Sequence, residues 1–211
     1  MTQEIEVELT DYEFMLCEAF SKECAPRQQA IEFGEGSTAE RDRKERERDI
    51  LIGKMGEIGV SKVLSQKYGI QSPVNLNVYP KYVCDDFDLV INGWNAEVKT
   101  TRDTGWHLMI TREKVEKWRK DNKLPDVIIS CKVPWDRVTD KPAKHAINIV
   151  GCISMGRFLE GWNCQRVQKG QTIPGTNTRA QADNYVIDDK YLCEFEKAVN
   201  GMINVKKGGR A

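Results

Sequence analysis

Histidine is nearly missing from this chain: among 211 residues only His107 and His145 carry an imidazole. Seven cysteines stand at positions 17, 24, 84, 131, 152, 164 and 193, and no two of them form a C-x-x-C pair. An odd, scattered set argues against a disulfide framework, and two histidines are too few to complete a zinc site with it. Reduced thiols in a cytoplasmic protein are the expectation. Long apolar runs are missing as well. Nothing approaches the ~20 residues that a membrane-spanning helix needs, and no basic segment followed by an apolar core begins the sequence. No membrane partner and no secretory signal are therefore expected. Excess charge of either sign is the last absence, since 32 Lys and Arg balance 32 Asp and Glu. That excludes a global basic field for nucleic acid, and any such surface has to be local.

What the chain does have is a sharply patterned segment from Asp85 to Thr101, DDFDLVINGWNAEVKTT. Asn92-Gly93 is a strong signal for a two-residue hairpin turn, because both central positions of a type I′ turn need positive φ and these residues tolerate it. Counting outward sets Leu89 against Ala96, Val90 against Asn95, Ile91 against Trp94 and Asp88 against Glu97. One face then carries Phe87, Leu89, Ile91, Trp94, Ala96 and Val98, all apolar. The other carries Asp86, Asp88, Val90, Asn95, Glu97 and Lys99.

The polar face holds two like charges together. Carboxylates opposed across a ladder at ~5 Å repel by roughly 3 kcal/mol at an effective dielectric of ~20. Lys99 relieves part of this, and a hard divalent cation, which takes carboxylate oxygens, would relieve most of it. The plainer alternative is a solvated strand face with incidental charges.

Upstream, the run ERDRKERERD reads as a solvated helix laced with i,i+4 pairs, or as a set of arginines reaching phosphates. It continues into ILIGKMGEIGVSKVLSQKYG, where Ile50, Gly53, Glu57, Val60 and Leu64 follow one helical stripe. Glu57 thus falls in line with residues that should face a sheet, unless it snorkels to the helix edge. Gly53, Gly56 and Gly59 each cost about 1 kcal/mol of helix propensity, and close backbone approach to a neighbour is the expected return.

Taken in order, Gly53, Gly56, Glu57, Leu64 and Gly69 on a helix, then Asp88, then Glu97-Val98-Lys99, resemble the core of the PD-(D/E)XK nuclease superfamily. The layout is similar to that of archaeal Holliday-junction resolvases and of small phage and restriction nucleases. The resemblance runs from about Gly53 to Val133. It departs from the superfamily's name in one place, since Phe87 rather than proline precedes Asp88. It implies a restriction-endonuclease-like α/β fold: an αβββαβ core at about residues 40–153, with a mixed sheet flanked by helices. A strand-helix addition at 1–36 and a loop-helix addition at 154–211 complete a single domain. It also implies a Mg²⁺- or Mn²⁺-dependent deoxyribonuclease, an endonuclease by analogy, in which Asp88, Glu97, the Val98 carbonyl and Glu57 hold metal. Lys99 would orient the attacking water. DNA is the implied partner, a homodimer is compatible with it, and the implied setting is intracellular, in a bacterial host or encoded by its phage. RNA as substrate stays open. So does a different class of function, a silent nuclease-like module that binds nucleic acid or protein.

The flanks supply further expectations. Ile5–Leu9 alternates as a short strand, and a helix from Tyr12 ends at Pro26. Residues 106–110 form the third strand of the core, ahead of a helix, REKVEKWRKDN, whose lysines read as solvated. Buried strands follow at 126–131 and 146–153. Thr100, Thr101 and Arg102 make a polar loop beside the carboxylates. Residues 163–184 form a long polar loop without secondary structure of its own, in which Arg166, Lys169 and Arg179 are candidates to touch substrate. A strand at 185–187, a helix starting at Asp188 and a basic tail close the chain.

Overall fold

The computed structural model describes residues 4–27, 42–79, 87–105 and 107–205. Expectations about Arg41, Asp85, Asp86, Trp106 and the basic tail lie outside these residues.

Strand β1 (Ile5–Glu8) leads into α1 (Asp11–Cys24), which opens on a capping box between Thr10 and Glu13. Helix α2 (Arg43–Tyr68) opens on a second box, Asp42 with Glu45, and Gly69 ends it in the left-handed conformation. Each box satisfies amide groups that the first helical turn leaves without partners. The hairpin β2 (Leu89–Ile91) and β3 (Trp94–Arg102) follows, then β4 (His107–Thr111) and α3 (Arg112–Lys120). Next come β5 (Val127–Val133), a small β6–β7 pair (Trp135–Asp136, Lys141–Pro142) and β8 (Ala146–Ser154). The chain continues through α4 (Met155–Leu159), β9 (Cys164–Val167), β10 (Asn184–Asp188), a 3₁₀ turn at Asp189–Tyr191 and α5 (Phe195–Asn204).

Among the described residues the main sheet has five strands in the order β1-β8-β5-β3-β2. It is mixed: β3 and β5 run parallel, and the other neighbours are antiparallel. All seven residues of β5 are buried, as befits a strand covered on both faces. One face, with Ala96, Val98, Ile129, Cys131, Ile147 and Ile149, packs on α1, α2 and α5 through Cys17, Ile52, Met55, Val60, Leu64, Phe195 and Val199. The opposite face, with Ile128, Val150 and Ile153, is covered by Leu108 and Ile110 of β4, Val115 and Trp118 of α3, Phe158 of α4 and Ile187 of β10. The architecture is therefore α/β with a mixed sheet between two cores.

Four expectations need correcting. The strand at 107–111 is not the third strand of the main sheet; it pairs with β10, which pairs with β9, in a second sheet. Its buried residues, Leu108 and Ile110, lie flat on the second face of the main sheet rather than at its edge. Thr100, Thr101 and Arg102 make no loop, being the end of β3 paired along β5, while the N-terminal addition sets β1 along β8 at one edge of the main sheet. The polar stretch 163–184 contains β9 and a bridge between Thr172 and Arg179, so it is not structureless. The final helix does not run on from Asp188. Cys193 exchanges backbone hydrogen bonds with Cys152 of β8, at 2.8 and 2.9 Å, and that bridge splits the 3₁₀ turn from α5.

The buried stripe of α2 is also displaced from the one read in sequence. Ile52, Met55, Gly56, Gly59, Val60, Val63 and Leu64 are buried, whereas Ile50 and Gly53 are only half-buried. Close approach holds at two of the three glycines. A Cβ at Gly56 would stand 1.8 Å from Thr100 Oγ1, and one at Gly59 would stand 2.5 Å from Ile147, while at Gly53 it would meet nothing within 4 Å. The Gly56 contact seats α2 directly on β3, at the residue before Glu57.

Candidate active site

Asn92 and Gly93 take φ of 48° and 84°, and the ladder pairs Leu89 with Ala96, Val90 with Asn95 and Ile91 with Trp94. Leu89, Ile91, Ala96 and Val98 are buried in the first core. Trp94 is on that side too, its indole N–H donating to the Val205 carbonyl at 3.2 Å. The paired strand stops at Leu89, one step short of the expected Asp88–Glu97 pair. Asp88 instead turns its carboxylate across the gap, where Oδ2 accepts the Val98 N–H at 2.7 Å. A side chain thereby takes a hydrogen bond that would otherwise go to a backbone carbonyl.

Glu97 lies opposite Ile128 of β5, and Lys99 lies opposite Ser130, so both belong to the second face of the sheet. Glu97 is 4% exposed, far from a solvated strand face. Two ammonium groups converge on its Oε1, that of Lys99 from the same strand and that of Lys114 from α3. Burial would raise the Glu97 carboxyl, yet the two lysines hold it below its usual range. Burial does raise Asp88, with help from the Glu97 charge and against Lys99 and the Val98 amide. Burial would lower Lys99, but Glu97 and Asp88 outweigh it and keep the ammonium charged. Lys114 is lowered, by burial first and by Lys99 second.

Glu57, on α2, acts on this cluster through its charge. It is buried, its Oε2 accepts from Lys54 Nζ at 2.6 Å, and the charges of Asp88 and Glu97 both act on it. Lys54 also donates to the Asn75 carbonyl at 3.0 Å and lies over the Phe20 ring. Burial, then Asp88, push the Glu57 carboxyl up to about 7 despite the Lys54 ion pair. An acid whose folded pKa exceeds its unfolded value holds its proton more tightly in the fold. Metal-free protein should therefore lose stability as pH climbs from about 4.5 to about 7. Glu57→Gln should flatten that decline. Thermal melts at several pH values check it, and an unchanged slope in the variant would count against a buried, proton-holding Glu57.

The other candidates are distributed more widely. Thr100 points the opposite way from Lys99, beneath α2, with Oγ1 buried and without a hydrogen-bond partner. Thr101 shares the face of Lys99 and pairs with Lys132. Arg102 lies over the Trp135 ring and 3.9 Å from Asp140, which also binds Arg48 at 3.2 Å. Arg166 stacks on Tyr185, the Lys169 amide donates to Asp183, and Arg179 bridges to Thr172. These last three are engaged within the second sheet and its loops.

Sequence reasoning missed Lys114 and Lys54. The signal for Lys54 was its i,i+3 spacing from Glu57. The signal for Lys114 was its place beside the apolar stripe of Val115 and Trp118, with its ammonium 5.1 Å from the Trp118 ring. A buried pair of Lys132 and Asp189 follows on the same sheet face, beyond Thr101.

Among the described residues, no three His, Cys, Asp or Glu side chains stand together as a ready metal-binding group. The described helices include none long and apolar enough to cross a membrane. Comparison with protein-family models, curated proteins and solved structures finds no match to this chain.

Proposed function

We propose that this chain is a divalent-metal-dependent nuclease with a restriction-endonuclease-like fold, acting on the phosphodiester backbone of DNA. The observation that carries the reading is the gathering of Asp88, Glu97 and Lys99 on one hairpin at a buried spot, with Glu57 within electrostatic reach from α2. The donor chemistry fits a hard cation, because carboxylate oxygens of Asp88, Glu97 and Glu57 and the Val98 carbonyl are the kind that Mg²⁺ and Mn²⁺ take. Asp88, Glu97 and the Val98 carbonyl would hold the ion, with Glu57 acting on it through charge from α2, and the ion when bound would supply Lewis acidity at a phosphoryl oxygen and a water of lowered pKa.

The chain's own residues do the rest. Lys99, kept protonated by two carboxylates, offers N–H donors to the attacking water and to phosphoryl oxygens as their charge grows. Helix α3 covers Glu97 and excludes bulk water from its side, which strengthens each of these interactions.

One observation favours a second reading, a silent module that binds nucleic acid or protein. Both lysines already satisfy Glu97, and Lys54 satisfies Glu57, so the cluster balances its charge without an added cation. Incubating the protein with linear, circular, single-stranded and branched DNA, and with RNA, in Mg²⁺, Mn²⁺ or EDTA separates the two. Metal-dependent cutting of a closed circle is the expected result, and no cutting of any substrate leaves the module. Lys99→Ala should lose cleavage while keeping the Mn²⁺-induced rise in Tm, since Lys99 meets water and phosphate and is no ligand. Loss of the Tm response in that variant would place Lys99 in metal binding instead.

A further inference from the structure

Two carboxylates and two ammonium groups share this site, Asp88 and Glu97 against Lys99 and Lys114, and the Lys54–Glu57 pair acts on it through charge from α2. The three lysines are not equivalent. Lys54 is buried on the same helix as its partner and is fixed a second time by the Asn75 carbonyl. Lys99 belongs to the same strand as Glu97 and is tied to it by sequence. Lys114 comes from a different element, and its side chain is 39% exposed, the most open of the three against 10% and 26%. It donates to the same Oε1 that Lys99 uses. Two like charges are thus brought together on one oxygen, within about 6 Å of each other. An arriving dication would compete with both ammonium groups for Glu97, and a carboxylate already bound by two of them takes on two further positive charges only at a cost.

We propose that Lys114 is the resident cation of this site. It occupies Glu97 Oε1 in metal-free protein, yields it when a divalent ion binds, and swings on its flexible stem to the phosphate that arrives with the ion. The inference rests on the metal-dependent reading above and deepens it. It adds a cation exchange that sets metal affinity and a phosphate contact that comes from α3 rather than from the hairpin. The exposed side of Lys114 gives it somewhere to go, and Lys99 remains to hold Glu97 until the exchange is complete.

The test is a Mn²⁺ titration of the full chain by calorimetry, on the wild type, Lys114→Met and Lys117→Met. Met keeps the length and removes the charge, and Lys117 is an exposed lysine of the same helix that serves as a control for overall charge. Lys114→Met should bind Mn²⁺ at least about tenfold more tightly than the wild type, and Lys117→Met should match the wild type. Binding of a short duplex in Ca²⁺ should weaken in Lys114→Met alone. Should Lys114→Met fail to fold, Lys114→Gln takes its place. The wild type gives a separate readout, since amine labelling of Lys114, followed by mass spectrometry, should speed up when Mn²⁺ is added. Unchanged or weaker metal binding in the Lys114 variant overturns the proposal, as does equal tightening in both variants. Absence of Mn²⁺ binding from wild type and variant alike overturns it too. A variant that binds metal where the wild type does not supports it. Tighter binding with no cleavage of any substrate leaves the exchange standing and removes the nuclease reading alone.

Discussion

Replacing Asp88 by Asn should cut cleavage by at least about 10²–10³-fold while leaving metal-free protein as stable as the wild type or more so. The two outcomes come from one cause. Burial and the neighbouring Glu97 charge both oppose ionisation of Asp88, so removing its charge relieves a cost in the metal-free state. The structural task survives the substitution, because an Asn side-chain oxygen can still accept the Val98 N–H that Asp88 accepts at 2.7 Å. Function is lost because an amide is a poor ligand for a hard cation. Urea melts beside a cleavage assay in Mg²⁺ check both halves, and the rise in Tm on adding Mn²⁺ should be much smaller in the variant. Undiminished cleavage would falsify the assignment of the chemistry to this hairpin. A large stability loss without metal would favour a structural role for the carboxylate.

Glu97→Gln should behave in the opposite way with respect to folding. Among the described residues Glu97 alone is bound by both Lys99 and Lys114, and it is buried among them. Neutralising it leaves two ammonium groups facing each other around a buried amide. Breaking a buried ion pair from one side costs about 3–5 kcal/mol, much of it from the charge left behind. The variant should therefore lose about that much stability and all measurable cleavage, and combining it with Lys114→Met should recover part of the stability. Equilibrium unfolding of the single and double variants forms the cycle. If Glu97→Gln proves no less stable than Asp88→Asn, the two lysines do not depend on Glu97 as the geometry implies.

The hairpin was legible in sequence because two independent signals agree there, the Asn-Gly turn and the alternation of Leu89, Ile91, Ala96 and Val98 with polar residues. Glu57 was legible because a charged residue in line with buried ones has to be answered by something. The burial of Glu97 was not legible, since alternation marks a polar face without saying what covers it. Lys114 was hidden for the related reason that a lysine flanking an apolar stripe reads equally well as solvated. The second sheet was hidden because HLMIT alternates in the same way whichever sheet it joins, and its partner, β10, lies far along the chain. Strand β9 has only Cys164 and Val167 as apolar residues, too few for a period to emerge.

The parallel pairing of β3 with β5 has a consequence for how the site is wired. Parallel neighbours cannot be joined by a tight turn, so the chain leaves the sheet after Arg102, travels through β4 and α3, and returns at Val127. The return is fastened where the strands begin, with Asp126 accepting the Asn95 N–H at 2.7 Å through its side chain and donating its own N–H to the Asn95 carbonyl at 2.8 Å. Asp88, Glu97 and Lys99 are thus encoded within one short local stretch, while Lys114 is delivered by the excursion between the two parallel strands. A backbone nick in that excursion would leave every hairpin residue covalently in place and cut only the tether that brings the α3 lysine to its carboxylate.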